Sequence, residues 1–564
     1  MPVTKQLFDN HLKELNLSSA VDELATAGID DRGAIFTRPE VVDFILDLTG
    51  YSPEFALEEK RLLEPSFGDG DFLFPAVERL LGSLKVREIK PSFDLLKDAV
   101  RAVELHSGSF AKVTDSTFQL LVDNGLSTVD AKKVLSKWLV KGDFLLTDFD
   151  IGFTHIVGNP PYIRQESLPR DLMTEYRQRF QTIYDRADIY IPFYEHSLSQ
   201  LDKDGVLGFI CANRWMKNRY GGPLRKLIAK QYNLKVCVDM VGIDAFTSNV
   251  IAYPAVTVIS NESRGLTQVV PKPSHDVSEL KHLSNDLLNL ENSHRKVFID
   301  SSGGPWLFDD SDSLSIVQKI EENFPSLEEV GCRIGIGVAS GADKVFIGHY
   351  DELEVEEDRK VPLATTKDIR SGEMVWGGLG IINPFDEAGG LVNLDKYPLL
   401  QRYFNTHEDI LRKRHVATKN QRNWYRTIDK IDINLLSKPK LLIPDIKGDA
   451  HIVYDKGEVY PHHNLYYITA EQWDLLALKA VLSSGIARLF IRTYSTKMHG
   501  DCLRFQAQYL RRIRLPAWES VAMPVREKIA QLLESGDING LNSVVYDLYG
   551  LSESERNIIE KYGN

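Results

Sequence analysis

The sequence predicts an α/β fold, a mainly parallel sheet wrapped by helices, followed by a second domain of α+β type. Three observations carry this. The chain has 564 residues, several times the usual length of one domain, so at least two packing units are expected. Up to about residue 262, short apolar runs of β character alternate with helical stretches, the pattern of a parallel sheet covered by helices. From 263 to 300 the composition turns polar, and beyond it glycine-rich and Trp/Tyr-rich segments mix with charge clusters without a repeat.

The elements follow in chain order. Apolar spacing predicts a helix over Pro39–Leu48 and another over Ile189–Leu201. The predicted strands are Arg61–Leu63, Ala102–Leu105, Thr154–Val157, Val206–Ile210, Lys235–Asp239 and Ala255–Ile259. The expected division is a first domain over 1–262, a seam over 263–300, a second domain over 301–520 and a helical segment over 521–564.

Composition narrows the class. With 43% hydrophobic and 26% charged residues, the chain is an ordinary globular protein rather than a disordered or collagen-like one. A formal net charge of −13 excludes a uniformly basic coat, so any nucleic-acid contact must be local. Cys211, Cys237, Cys332 and Cys502 form no CxxC pair, which suits neither a disulfide framework nor a zinc ribbon and points to the cytoplasm. The amino-terminal segment lacks the unbroken apolar core of a signal peptide, and no apolar run is long enough for a membrane span.

The most informative segment is Thr154-His-Ile-Val-Gly-Asn-Pro-Pro-Tyr162. A short β-run delivers Asn159 at a strand's carboxyl end, where open α/β sheets keep their reacting groups. Pro160 and Pro161 fix their own φ and restrict the residue before each, so the Asn159 side chain and the Pro160 carbonyl sit in a stiff turn. Two fixed acceptors suit the exocyclic amino group of adenine, whose lone pair is shared with the ring and must be localised before it can attack a methyl group. Tyr162 offers a flat ring for stacking on an extruded base. The plainer alternative is a proline-rich turn closing a core strand.

Upstream, Leu62-Leu-Glu-Pro-Ser-Phe-Gly-Asp-Gly-Asp-Phe-Leu73 is a strand, a turn and a helix start. Gly68 and Gly70 allow close approach of backbone to ligand, and Glu64 can hold a cationic amino group. No Lys-Ser/Thr follows, so this is not a P-loop, and GxGxxG is absent. Glu104 ends the next β-run, where a carboxylate can accept both hydroxyls of a ribose. Asp143, ahead of the strand that leads to Asn159, suits an adenine amino group. Taken singly each acid could be a helix cap or a solvated charge. In this order they form a nucleoside pocket.

With these motifs in place, the chain resembles the gamma-group N6-adenine DNA methyltransferases of restriction-modification systems. Thr37-Arg-Pro-Glu-Val-Val-Asp-Phe44, the EPSFGDGDFL turn, Glu104, Asp143 and NPPY stand in the group's order over residues 33 to 260. WYRTIDKI, KPKLLIPDIKG and the Tyr494-to-Pro516 segment resemble its carboxyl-terminal specificity part more loosely. The resemblance implies a Rossmann-like catalytic domain with a mixed, mainly parallel sheet, then a DNA-recognition domain. It implies an S-adenosylmethionine site at Thr37, Glu64, Pro65, Ser66, Gly68, Glu104, Leu105, Asp143, Phe144 and Asn159. It also implies catalysis by Asn159, Pro160, Pro161 and Tyr162, with Tyr162 stacked on the flipped adenine. A second aromatic is expected on the base's other face, Phe246 or alternatively Tyr253. Arg38 stands where proline is common, and Ser66-Phe67 replaces the usual Ala-Cys.

Two stretches reverse the overall charge. Arg412, Lys413, Arg414, Lys419, Arg422 and Arg426 are interleaved with Trp424 and Tyr425; further on lie Lys497, Arg504 and Arg511. Basic residues with aromatic members suit a phosphate backbone and displaced bases, although a solvated helical face has the same composition. The expected partners are duplex DNA and a separately encoded cognate restriction endonuclease. No metal is expected, since adjacent His462 and His463, with His451 and His499, do not make a spaced chelate. NPPY is shared with methyltransferases acting on protein glutamine or RNA guanine, and a non-catalytic DNA-binding subunit is a further alternative.

Overall fold

A computed structural model of the chain describes residues 17–28, 33–248, 253–271, 273, 276–289, 294–308, 311–445, 451–495 and 505–563. It divides into two units, Met1–Phe308 and Asp309–Asn564.

Among the described residues the first unit is built on nine strands: β1 (Leu62–Glu64), β2 (Val100–Glu104), β3 (Leu139–Lys141), β4 (Phe153–Gly158), β5 (Leu201–Ala212), β6 (Asn233–Asp239), β7 (Pro254–Ser260), β8 (Thr267–Val270) and β9 (Arg295–Val297). Their order across the sheet is β3-β2-β1-β4-β5-β7-β6-β8-β9. The pairs from β3 to β5 are parallel, β7 runs antiparallel to both β5 and β6, and β9 runs antiparallel to β8. This is the mixed, mainly parallel sheet expected.

Successive side chains of a strand point to opposite faces, so a sheet covered on both sides needs apolar residues at consecutive positions. Leu62 and Leu63, Val157 and Ile156, and Ile210 and Phe209 accordingly enter two different cores, one on each face. Helix α1 (Pro39–Leu48) starts with proline at its first turn and buries Val41, Val42, Phe44, Ile45, Leu46 and Leu48. Helix α2 (Tyr190–Ser199) is apolar nearly all round and buried, with its Tyr194 hydroxyl 2.8 Å from Thr257 Oγ1 of β7.

Two features depart from the sequence reading. Strand β3 was not anticipated, because Leu-Val-Lys is too short to show a period. Residues 263–300, expected as a seam, carry β8, helix α3 (Leu280–Leu288) and β9, and so belong to the first unit. Helix α3 packs on α1, with Lys281 Nζ 2.7 Å from Asp47 Oδ2. A one-sided edge element needs few apolar residues, so its polar composition resembled a linker.

In the second unit, β10 (Cys332–Ile336), β17 (Leu465–Ala470), β14 (Lys440–Pro444) and β15 (Val453–Asp455) form one sheet. Strands β11 (Ile347–His349), β13 (Leu379–Ile382), β12 (Lys360–Ala364) and β16 (Tyr460–Pro461) form another. The helices Met523–Ser535, Ile538–Leu548 and Glu553–Gly563 pack on Leu475–Ser483 and Gly485–Tyr494, giving this unit its α+β character. Lys440 is fully buried in an ion pair 2.6 Å from Asp455, while its ammonium donates to the Leu435, Leu436 and Lys438 carbonyls. Among the described residues, no helix is long and apolar enough to cross a membrane.

Candidate active site

The strand order reverses at β1 and β4, since β2 and β3 extend to one side and β5 to the other. That reversal opens a crevice at the carboxyl ends of the strands. The cavity there is lined by Thr37, Glu64, Pro65, Ser66, Gly68, Glu104, Leu105, Asp143, Phe144, Asn159 and Pro161. Residues assigned from separate stretches of sequence therefore converge. Pro160, Tyr162, Phe246 and Tyr253 lie outside this lining.

The turn after β1 is held from within the site. Gly68 and Gly70 adopt φ of +53° and +97°, a region that suits glycine. A Cβ on Gly70 would lie 2.4 Å from the Phe74 ring. Glu104 fixes the turn by accepting the Gly68 N–H at 2.7 Å and the His106 N–H at 2.6 Å. Each carboxylate oxygen keeps a lone pair for a ligand hydroxyl.

Glu64 is buried, and its Oε2 has no hydrogen-bond partner among the described residues. Burial pushes its carboxyl well above the usual range, and the nearby Asp71 and Glu104 charges push it further. A cation bound beside it would favour the ionised form. Asp143 accepts the Leu145 N–H at 2.8 Å and the Tyr176 hydroxyl; burial raises its carboxyl, and the bond from Tyr176 opposes this.

The corner after β4 shows the clearest polar asymmetry. Asn159 Nδ2 donates to the Ile35 carbonyl at 2.9 Å and lies 3.2 Å from Thr37 Oγ1. Its Oδ1 is buried with no hydrogen-bond partner among the described residues. The corner is braced by Gly33, whose carbonyl accepts the Tyr162 N–H at 3.1 Å. A Cβ on Gly33 would lie 2.6 Å from the Tyr162 carbonyl carbon.

The Tyr162 ring lies 6.3 Å from Phe246, but the planes meet at 82°, so the two rings are edge to face and do not form parallel walls. Phe246 pairs by backbone with Thr37, while Tyr253 lies under the Arg214 guanidinium at 5.5 Å. Phe246 thus meets Tyr162 edge to face. Sequence reasoning missed Gly33, Asp71, His106 and Tyr176. Asp71 stands in the Gly68-to-Asp71 run and could have been noted; Tyr176, at helical spacing from Leu172, looks like core.

The second unit redistributes the basic candidates. Trp424 is buried, and the partly buried Tyr425 donates its hydroxyl to the Val392 carbonyl and packs on Phe404, so both are core residues rather than base platforms. Arg414 is likewise structural: its guanidinium donates to the Leu411, Ser340 and Trp424 carbonyls. Arg426 donates to the Thr427 and Ile428 carbonyls. Arg412 pairs with Glu408 at 2.6 Å and stacks on Trp424, and Arg511 pairs with Glu328 at 2.9 Å. Lys413 and Arg422 are exposed. Lys497, Arg504 and the Lys419 side chain lie outside the described residues, as does His499. Asp343 joins His462 and His463 with potential ligand atoms within 4.8 Å of one another, a group invisible to sequence spacing. His462 Nε2 there is 3.5 Å from Asp343 Oδ2, the distance of a histidine–carboxylate pair.

Comparison with known proteins bears on both units. Residues 80–246 match the Eco57I restriction-modification methylase family, and residues 391–515 match the TaqI-like C-terminal specificity domain. The chain is 53% identical to the Type II methyltransferase M.PaeR7I of Pseudomonas aeruginosa, covering 96% of each chain. It is 47% identical to the Type II methyltransferase M.XhoI of Xanthomonas vasicola, covering 94% of this chain and 99% of that one. In fold it is similar to the Type IIL restriction-modification enzyme MmeI, solved in complex with DNA, with a TM-score of 0.58 at 11% identity over 93% of this chain and 76% of that chain.

Proposed function

Because this chain belongs to the Type II restriction-modification methyltransferases, we propose that it methylates the N6 amino group of an adenine in duplex DNA, using S-adenosylmethionine. The modification would protect one recognised sequence from a separately encoded cognate endonuclease. The observation that carries the adenine assignment is the Asn159 amide, whose nitrogen end is tied to Ile35 and Thr37 while its buried oxygen is left to accept.

The residues present fit the cofactor. Glu64, buried and unpartnered at Oε2, matches its ammonium; Glu104 matches the ribose hydroxyls; Asp143 and Phe144 match the adenine. Bound there, S-adenosylmethionine supplies an electrophilic methyl group on a sulfonium.

The chain's own residues do the rest. Asn159 Oδ1 and the Pro160 carbonyl accept the two hydrogens of the target amino group and draw its lone pair out of the ring. Pro160 and Pro161, with φ fixed by their rings, hold both acceptors still, so no reorganisation is needed as charge develops. No charged base is required for attack, because the amino nitrogen sheds its proton only after it has gained the methyl. Tyr162 stacks on the extruded base.

The test supplies labelled cofactor with duplex DNA, RNA and a protein extract in separate reactions. Label in DNA, recovered as N6-methyladenine, is expected. Label confined to RNA or protein, or recovered on cytosine, overturns the reading.

A further inference from the structure

We propose that Thr37 is a positioning residue that, together with the Ile35 carbonyl, holds the Asn159 amide with its oxygen left for the target base, an inference that rests on the adenine-N6 reading above. A carboxamide has nearly the same shape either way round but carries an acceptor at one end and two donors at the other. Turned the wrong way, Asn159 would present N–H groups to an amino group that is itself a donor.

One neighbour sets the orientation and a second holds it. The Ile35 carbonyl can only accept, and it takes one Nδ2 hydrogen at 2.9 Å. The second hydrogen also needs an acceptor in this buried corner, and Thr37 Oγ1 at 3.2 Å provides it. With both donors used, Oδ1 faces the reaction with no partner among the described residues.

Thr37 can act in this way because its own position is fixed from two sides. Its N–H donates to Asp71 Oδ2 at 2.7 Å, on the turn that follows β1. Its backbone pairs with Phe246, the Arg38 N–H donates to the Ala245 carbonyl at 3.0 Å, and the Thr247 N–H donates to the Phe36 carbonyl at 3.0 Å. Phe246 thereby gains a role as part of the clamp that holds the 35–38 segment. The same residue that lines the cofactor cavity thus presets the catalytic amide.

The test compares the full chain with Thr37→Val, which keeps the shape and loses the hydroxyl, and Thr37→Ser, which keeps the hydroxyl. Thr37→Ala is a second hydroxyl-free variant, judged by the same criteria should Thr37→Val not fold. Turnover is followed with labelled S-adenosylmethionine at saturating duplex DNA, and cofactor binding by calorimetry. In the hydroxyl-free variant kcat is expected to fall about tenfold, or about 1.4 kcal/mol in barrier height. Because Thr37 also lines the cofactor cavity, turnover is read at saturating cofactor and any rise in cofactor Kd is scored separately, and Thr37→Ser should recover turnover to within about threefold of wild type, a difference well under one barrier decade. An unchanged kcat, a loss carried by cofactor Kd alone, or a serine variant as slow as the valine one overturns the inference. Failure of the wild type to form N6-methyladenine overturns the underlying reading instead.

Discussion

Removing the Asn159 side chain tests the chemistry at its centre. Asn159→Ala is expected to cut methyl transfer by about 10²–10³-fold, the cost of losing one preorganised polar contact in an active site. DNA affinity, measured by fluorescence anisotropy, should stay close to wild type. Glu64 makes a prediction in pH. Its carboxyl is raised by burial, so in the free protein it holds its proton above the normal range and must lose it to hold an ammonium. Cofactor affinity should therefore rise as pH climbs above the ordinary carboxylate range, as long as the α-amino group stays protonated. The stability that the neutral acid confers on the free protein is present at low pH and lost as pH rises through the raised pKa. Calorimetry in buffers of different ionisation enthalpy should detect proton release on binding, and the cofactor-induced rise in Tm should grow with pH. Glu64→Gln should flatten both trends. The convergence of Asn159, Glu64 and Glu104 on one cavity was legible because each stands at or just past the carboxyl end of a strand. The orientation of the amide was not, since it depends on Ile35 and Thr37, more than a hundred residues earlier.

Gly33 and Gly50 separate two costs that a sequence cannot. Both adopt positive φ, +59° and +76°, so alanine at either is expected to destabilise by roughly 1–2 kcal/mol through the backbone alone. Around Gly50 a Cβ meets nothing within 4 Å, whereas at Gly33 it meets the Tyr162 main chain at 2.6–2.9 Å. Gly33→Ala should therefore lose methyl transfer well beyond its fall in Tm, and Gly50→Ala should lose Tm with turnover retained; equal turnover in the two variants would contradict the bracing role. At this scale the strands from β1 to β7 other than β3 were legible from their apolar runs, because their central residues are buried on both faces of the sheet. The outer strand β8 and the edge strand β9 were not, because β8 has only four residues and β9, paired on one side, carries the composition of a linker.

Across the whole molecule, a formal charge of −13 is compatible with DNA binding because a Debye length of about 8 Å screens distant acids. Affinity should fall steeply with salt, and neutralising Lys413 or Arg422 should reduce the slope of log K against log salt by about one each. Arg414→Ala should act differently. Its guanidinium serves three main-chain carbonyls, so the loss, about 1–3 kcal/mol, should appear in Tm. Charge composition showed where positive residues cluster but could not tell an arginine that faces solvent from one that ties a fold together; only packing does. Whether a rigid corner offers paired oxygens to an adenine amino group is read out by nucleoside mass spectrometry of duplex DNA treated with isotope-labelled cofactor. Labelled N6-methyladenine at a single recognised sequence, absent with Asn159→Ala, is the expected result; label on cytosine, or none in DNA at all, would contradict it.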